Sequence, residues 1–231
     1  MKDTLRAILF DFDGVLADSE PIHLEMFQKV LKEEGISLSR EGYYEKYLGL
    51  DDRSCFAEVY KAGGRSPEPG KVNDLIRRKN EALLQHVRGR SVLMPGAAEL
   101  ILKLKDKYFL TIVSGALKSE ILAILEGAGL AKAFHAIVAA DDISQGKPHP
   151  EGFESAIRIL NRDFIPPAEI LLPRECLAVE DSPWGLQAAK KAGVLCVGVT
   201  TSYEASRLGE ADLIAPHVSS IPWEKVEALF S

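Results

Sequence analysis

Apolar and polar positions follow two different patterns along this chain. Residues 8–10 are an apolar run typical of a strand buried on both faces. Residues 21–34 instead place apolar side chains on one helical stripe, and helical patterns continue to about residue 92 without a convincing strand. From residue 94 onward, helical patterns alternate with short β-rich runs, which predict strands at 109–113, 136–139, 176–179 and 194–199.

Strands that alternate with helices of this length predict a parallel sheet covered by helices on both faces. The fold class we expect is therefore α/β, with a Rossmann-like parallel sheet core. The long helical stretch interrupts this core, because it lies between the first strand and all of the others. We predict a core domain made of residues 1–18 and 93–231, and an inserted α-helical bundle cap made of residues 19–92.

Polar residues that can carry chemistry follow the predicted strands. Ligands of parallel sheets bind beyond the carboxyl ends of the strands, so we expect these residues to converge at one edge, under the helical insertion. They are Asp11 and Asp13 after the first strand, Ser114 after the second, Lys147 in the loop after the third, and Glu180 and Asp181 after the fourth. An ordinary acidic turn is the plainer interpretation of Asp11 and Asp13, and it leaves the other groups unexplained.

This set of groups suits phosphoryl chemistry. Carboxylates from two strands are the ligands that a hard cation such as Mg²⁺ prefers. A hydroxyl with nearby backbone N–H groups and one lysine forms a phosphate-binding set. A metal ion and a lysine can together neutralise a phosphoryl group in transfer. One carboxylate can then act as the nucleophile while a second one moves protons.

The composition narrows the range of partners. Hydrophobic residues make up 46% of the 231 and charged residues 27%, as in ordinary globular proteins. The net charge of -6 argues against binding to nucleic acid or to an anionic membrane, since both favour basic surfaces. The three cysteines are widely spaced, which argues against a disulfide framework or a zinc site. With no long apolar run, we expect a cytoplasmic protein, and the sequence leaves monomer and dimer equally open.

Four short motifs, in order and at suitable spacing, resemble those of the haloacid dehalogenase-like hydrolases. They are Asp11-Phe12-Asp13-Gly14-Val15, Ser114-Gly115, Gly146-Lys147-Pro148 and Glu180-Asp181-Ser182. The resemblance extends over nearly the whole chain. The helical insertion directly after the first motif is similar to the cap of the subgroup that contains phosphoglycolate phosphatases, sugar-phosphate phosphatases and β-phosphoglucomutases.

The resemblance implies distinct roles for the two acids of the first motif. Asp11 stands in the place of the nucleophile and of a Mg²⁺ ligand. Asp13 stands in the place of the general acid/base, which protonates the leaving oxygen and then activates water, and its backbone carbonyl would contact the metal ion. Because the dehalogenases of this family lack an Asp at the position of Asp13, the resemblance disfavours dehalogenation.

The other motifs carry the phosphate-binding and metal-binding roles of the family. By resemblance, Ser114 and Gly115 would bind the transferring phosphoryl group, and Lys147 would hold both that group and Asp11. In the family, residues that follow two different strands bind Mg²⁺, and Asp181 matches the ligand that follows the second of these strands. Glu180 beside it has a supporting role or is itself a ligand, and both alternatives stay open.

Three residues of the insertion are candidates for contact with the substrate. His23 matches a histidine on the first cap helix of the subgroup, although an ordinary surface histidine is the open alternative. Lys79 matches a substrate-facing lysine of the mutases, but it lies in a basic run that is typical of a solvated helix face. The mutases carry a phosphate-binding arginine where this chain has Asp52. Arg53 lies one residue later, which on a helix turns its side chain by about 100° from that position.

The function we expect is Mg²⁺-dependent hydrolysis of a small phosphorylated metabolite through an aspartyl-phosphate intermediate. The first alternative is a phosphomutase of the β-phosphoglucomutase type. It is disfavoured because Asp52 replaces the cap arginine and because Ala116-Leu117 stands where the mutases have a lysine. The second alternative, a non-catalytic binding protein with the same fold, is disfavoured by the complete set of motifs. Phosphoglycolate, a sugar phosphate and a nucleotide all stay open as substrates.

Overall fold

The computed structural model describes residues 4–230, so residues 1–3 and 231, the outer ends of the predicted core domain, lie outside the described part. Six strands form one parallel sheet. They are β1 (Ala7–Phe10), β2 (Phe109–Val113), β3 (Ala136–Val138), β4 (Cys176–Glu180), β5 (Leu195–Val199) and β6 (Leu213–Ala215). Their order across the sheet is β3-β2-β1-β4-β5-β6, which confirms the predicted α/β, Rossmann-like class.

Nine α-helices accompany the sheet in the described chain. The first four lie between β1 and β2: α1 (Glu20–Glu33), α2 (Arg40–Lys46), α3 (Asp52–Ala62) and α4 (Lys71–Val87). The other five are α5 (Ala97–Leu104), α6 (Lys118–Gly127), α7 (Glu151–Asp163), α8 (Pro183–Lys191) and α9 (Trp223–Ala228). We call α1–α4 and their connections the helical insertion.

The central strand β1 is buried on both of its faces. Neighbouring residues of a strand point to opposite faces, and the four residues of β1 are all 0% exposed. Ile8 and Phe10 share an apolar cluster with α5, α6 and α9, whereas Ala7 and Leu9 share another with α7 and α8. The sheet is therefore covered by helices on both sides, which explains why β1 is continuously apolar.

The helical insertion has an apolar core of its own. Its centre is Phe27, whose ring centroid lies 4.9 Å from that of Phe56, and all four helices contribute to the cluster around it. The chain enters and leaves the insertion at one place, where Asp18 N–H donates to the Val92 carbonyl at 2.8 Å. Two adjacent connections of this kind hold the insertion over the carboxyl ends of the strands.

Most predicted elements occur within one residue of their predicted bounds. The third strand ends at Val138 rather than at residue 139, and the fourth extends to Glu180 rather than to residue 179. Strand β6 and helix α9 follow the last predicted strand and were not predicted. None of the helices in the described part of the chain is both long and apolar enough to cross a membrane.

Candidate active site

The register of the sheet brings the chemistry-bearing residues to one edge. Phe10, at the end of β1, lies opposite Ile112 of β2 and Val179 of β4. The three strands therefore end level with one another, and the residues that follow them lie side by side. The insertion covers this edge and encloses a cavity of about 380 Å³, lined among others by Asp11, Asp13, Ser114, Lys147 and Asp181.

Lys147 joins two carboxylates at the floor of this cavity. Its Nζ atom lies 2.6 Å from Oδ1 of Asp11 and 2.6 Å from Oε1 of Glu180, whose side chain is fully buried. Burial opposes the charge of the lysine, but the two carboxylates reverse this effect and raise the pKa of Lys147. Burial raises the pKa of Asp11 to about 8, with Lys147 acting in the opposite direction. The lysine is thus a fixed cation next to Asp11.

A second group of carboxylates surrounds Asp11. Oxygen atoms of Asp11, Glu180 and Asp181 all lie within 4.8 Å of one another. Burial, followed by the charges of Asp11 and Glu180, raises the pKa of Asp181 well above its ordinary value, while a hydrogen bond from the Ser202 hydroxyl lowers it. Three buried carboxylates beside one lysine resist ionisation together unless a further cation is present, and oxygen ligands at this spacing fit a hard divalent cation.

Gly14 makes this crowding possible. Its φ of +75° belongs to the left-handed region, and a Cβ at this position would lie 1.9 Å from Oδ2 of Asp181. The turn after β1 can therefore approach β4 only with glycine here. This is the physical reason for the glycine in the first motif.

Asp13 occupies a separate position from the three-carboxylate group. One of its oxygens, Oδ1, accepts a hydrogen bond from the Ser19 hydroxyl and lies 3.4 Å from Nε2 of His23. The other, Oδ2, lies 3.5 Å from the Ser114 hydroxyl. Burial raises the pKa of Asp13, but the hydrogen bonds from His23 and Ser19 outweigh it and the pKa is lowered. Asp11 and Asp13 thus have different partners and opposite pKa shifts.

The turn after β2 presents a hydroxyl and backbone to the cavity. The Ser114 hydroxyl accepts a hydrogen bond from the backbone N–H of Ala116 at 3.0 Å. Gly115 between them is exposed and lines the cavity, and no atom lies within 4 Å of the place where its Cβ would be. A small anion can approach this backbone closely.

The three candidates in the insertion occupy different places. His23 is buried and faces Asp13, as described above. Lys79 is fully buried behind it, with Nζ 2.8 Å from Nδ1 of His23 and 2.6 Å from Oδ1 of Asp52. Arg53 is exposed at the edge of the cavity, and its guanidinium donates to Oδ1 of Asn73 at 2.8 Å. Of the three, His23 alone contacts a residue of the cavity floor.

Several residues of the site were not singled out from the sequence. Ser202 donates to Asp181, and Ser19 donates to Asp13. Ser202 follows β5, so the rule that ligands bind beyond strand ends applied to it as well. Glu120 of α6 is 2% exposed, with Oε1 3.7 Å from Nζ of Lys79, and no motif marks it.

The comparisons with known proteins agree with this geometry. Residues 8–199 match the family described as haloacid dehalogenase-like hydrolase. The chain belongs to this family. It is an enzyme that acts on phosphoric monoesters, as its similarity to phosphatases and to a phosphomutase shows.

Three proteins illustrate which members of the family this chain is similar to. The validoxylamine A 7'-phosphate phosphatase of Streptomyces hygroscopicus subsp. limoneus is 27% identical, over 96% of this chain and 98% of its own. The β-phosphoglucomutase of Bacillus subtilis is 27% identical, over 95% and 93%. A crystal structure of CbbY from Rhodobacter sphaeroides, in complex with xylulose-(1,5)bisphosphate, is similar with a TM-score of 0.83 and 26% identity, and the match covers 94% and 96% of the two chains.

Proposed function

We propose that this protein is a Mg²⁺-dependent phosphatase that hydrolyses a small phosphorylated metabolite through an aspartyl-phosphate. The observation that carries the proposal is the pair of acids with separate surroundings, Asp11 against Lys147 and Asp13 against His23. Hydrolysis in two steps needs one carboxylate as nucleophile and another as proton carrier. The helical insertion, residues 19–92, would act as the cap over both.

In the first step, a carboxylate oxygen of Asp11 forms a bond to phosphorus, and the bond from phosphorus to the ester oxygen breaks. The leaving oxygen takes a proton from Asp13 and departs as an alcohol. Lys147, Ser114 and the backbone at Gly115 hold the phosphoryl oxygens. The negative charge of the bound phosphoryl group raises the pKa of Asp13, which favours the protonated form that this step requires.

In the second step, a water molecule gives a proton to Asp13 and its oxygen bonds to phosphorus. The bond between phosphorus and Asp11 breaks, which releases inorganic phosphate and restores the carboxylate. Asp13 thus donates a proton in the first step and accepts one in the second, since the acid of one step becomes the base of the next.

The residues that would hold Mg²⁺ are Asp11, Asp181 and Glu180, together with the backbone carbonyl of Asp13. A bound Mg²⁺ would neutralise part of the charge on the transferring phosphoryl group. The excess of buried carboxylates over lysines at this place supports a divalent cation. Glu180 also contacts Lys147, and this contact is equally compatible with direct binding of Mg²⁺ by Glu180 and with a supporting role for it.

The surroundings of Lys79 favour a phosphatase over a phosphomutase. A mutase must retain a bisphosphate for a second transfer, and this requires cations in the cap. Here Asp52 and Glu120 pair with Lys79, and Arg53 is bonded to Asn73. Because Asp52 and Glu120 balance the charge of Lys79, only Arg53 is left to hold a second phosphate, and we expect release of the product after one transfer.

The variant Asp11→Asn tests this function, because it keeps the size of the side chain and removes the nucleophile. With Mg²⁺ and a broad set of phosphorylated metabolites, the unaltered protein should release inorganic phosphate, and Asp11→Asn should release none. Asp163→Asn, which changes an acid that pairs with Arg162 far from the cavity, is the matched control and should keep full activity. An unaltered protein that releases no phosphate from any ester would refute the proposal.

A further inference from the structure

The cavity is bounded on one side by the core and on the other by residues of the helical insertion, which we call the roof. Its acids away from the reacting groups are Glu20, Asp51 and Asp52 of the roof and Asp141 of the core. The lysines and arginines among the described lining residues are Lys147, which belongs to the reacting end, and Arg53. Lys79 balances Asp52 from behind the roof, which leaves Glu20, Asp51 and Asp141 against Arg53, so negative charge predominates where the remainder of a bound ester would lie.

The one roof arginine lies at the exposed edge of the cavity. Arg53 donates to Oδ1 of Asn73 at 2.8 Å, and because this amide is neutral, Arg53 is the one unbalanced cation among the described roof residues that line the cavity. Lys79, the other nearby cation, does not line the cavity and lies against Asp52 at 2.6 Å. A second phosphate on the substrate would thus meet one roof cation, Arg53 at the edge of the cavity, beside the carboxylates of the roof.

The roof acids differ in how they are held. Asp51 is exposed, precedes α3 and accepts a hydrogen bond from the backbone of Ser54 at 2.9 Å. Its Oδ2 accepts a hydrogen bond from the Ser54 hydroxyl at 3.0 Å and lies 4.0 Å from the place where a Cβ on Gly146 would be, so it also faces the core loop that carries Lys147. Glu20 is half-buried and accepts a hydrogen bond from the Tyr43 hydroxyl at 2.8 Å through Oε2 alone. Two carboxylates on separate elements thus border the space above the reacting groups.

We propose that this cavity selects phosphate monoesters whose remaining part is uncharged or carries an amine, and discriminates against esters with a second phosphate or a carboxylate. The inference rests on the proposed phosphatase function. Like charges in a partly enclosed cavity repel more strongly than in water, whereas a hydroxyl or an ammonium can donate to Glu20 and Asp51. Asp51 and Glu20 are the residues that determine this specificity.

The test uses two sets of esters, and the members of each set share one carbon skeleton. Hydrolysis of p-nitrophenyl phosphate serves as the assay, and each ester is measured as a competitive inhibitor, so that slow turnover of an ester does not hide its binding. The esters are fructose 6-phosphate against fructose 1,6-bisphosphate, and glucosamine 6-phosphate against glucose 6-phosphate and 6-phosphogluconate. We expect the anionic member of each set to bind more weakly by roughly tenfold, and the amine to bind at least as tightly as the neutral sugar.

Two variants assign the effect to the roof. Asp51→Asn keeps an N-cap residue before α3, and Glu20→Gln keeps an acceptor for Tyr43, so both remove charge with little change in structure. Each should reduce the ratio between the anionic and neutral inhibition constants by a factor of three or more, roughly, at constant ionic strength. Glu58→Gln, an exposed acid of α3 that does not line the cavity, is the matched control and should leave the ratio unchanged.

The outcomes separate this inference from the function on which it rests. If p-nitrophenyl phosphate and every other ester release no phosphate, the proposed function fails. If p-nitrophenyl phosphate is hydrolysed and the bisphosphate or the carboxylate binds more tightly than its neutral partner, the function stands and the inference is wrong. If the preference exists but neither roof variant changes it, the assignment to Asp51 and Glu20 is wrong.

Discussion

The ammonium group of Lys79 lies 2.8 Å from Nδ1 of His23, and this contact determines how the imidazole faces Asp13. An ammonium can only donate, so Nδ1 accepts and the ring hydrogen lies on Nε2, which is 3.4 Å from Oδ1 of Asp13. Burial opposes the charge of Lys79, yet Asp52 and Glu120 raise its pKa. A buried cation of the insertion thus orients a residue that contacts the cavity floor.

Removing the charge of Lys79 should destabilise the protein strongly. Lys79→Met keeps an unbranched side chain of similar length but leaves the buried Glu120 and the half-buried Asp52 without their cation. Loss of one partner of a buried ion pair costs about 3–5 kcal/mol. Urea unfolding followed by circular dichroism measures the change. Lys61→Met, at a lysine whose side chain is 77% exposed, should leave the midpoint unchanged. An unaltered midpoint for Lys79→Met would mean that the two carboxylates are protonated or solvated without the lysine.

Lys79 also illustrates what the sequence could and could not predict. Its basic neighbours indicate a solvated helix face, but helical spacing contradicts this, because the buried positions of α4 are Leu75, Lys79, Leu83 and Val87, four residues apart. The buried stripe of α4, which includes Lys79, could therefore be predicted from the sequence. The partners of Lys79 could not, since Asp52 and Glu120 lie on other helices and meet Lys79 only through tertiary packing.

The floor of the site was more predictable than the roof. Ends of parallel strands meet at one edge, so Asp11, Ser114 and Asp181 could be brought together from their positions after apolar runs alone. The roof depends on how helices of the insertion pack on the core, for which no local pattern exists. Strand β6 has only three residues, as β3 does, but its apolar run stops between Asp212 and Pro216, whereas the run of β3 continues to Ala140 and gives a longer signal.

Mg²⁺ should raise the melting temperature of this protein, because a divalent cation relieves the repulsion among Asp11, Glu180 and Asp181. A ligand at about 100 times its dissociation constant adds about 2.7 kcal/mol, which corresponds to about 5–10 °C for a chain of this size. The variant Asp181→Asn should lose most of this increase in melting temperature, while Asp163→Asn should retain it. A melting temperature that does not respond to Mg²⁺ in the unaltered protein would contradict the assignment of the metal site. Differential scanning fluorimetry with EDTA as the reference measures all three proteins.

Asp13→Asn should separate proton transfer from metal binding. The amide keeps the hydrogen-bonding oxygen and the backbone carbonyl but cannot donate to the leaving oxygen, so kcat should fall by about 10²–10⁴-fold. The increase in melting temperature with Mg²⁺ should persist, because the expected contact of residue 13 with the metal comes from its backbone. Steady-state kinetics and thermal melting of the same preparation check both points. If the variant loses the Mg²⁺ response, the carboxylate of Asp13 is itself a metal ligand.

The insertion and the core are also joined at the cavity by a contact that we call the aromatic clasp: Trp184 and Tyr203 against Leu48-Gly49. The Tyr203 hydroxyl donates to the Leu48 carbonyl at 3.0 Å. Gly49 has a φ of +80°, and a Cβ on it would lie 3.3 Å from Cδ1 of Trp184 and 3.4 Å from Oη of Tyr203. These contacts hold the roof segment that leads to Asp51 and Asp52.

Gly49→Ala should therefore loosen the clasp and raise KM for the ester more than it lowers kcat, because the roof contacts the substrate and the reacting groups lie on the floor. Gly64→Ala is the matched control, since Gly64 also has a positive φ, +67°, but a Cβ there meets nothing within 4 Å. Both variants should lose about 1–2 kcal/mol of stability from backbone strain alone. Only Gly49→Ala should change KM and the fluorescence of Trp184, measured in a Trp223→Phe background that leaves Trp184 as the sole tryptophan. Equal KM values for the two variants would mean that the clasp does not govern the position of the roof.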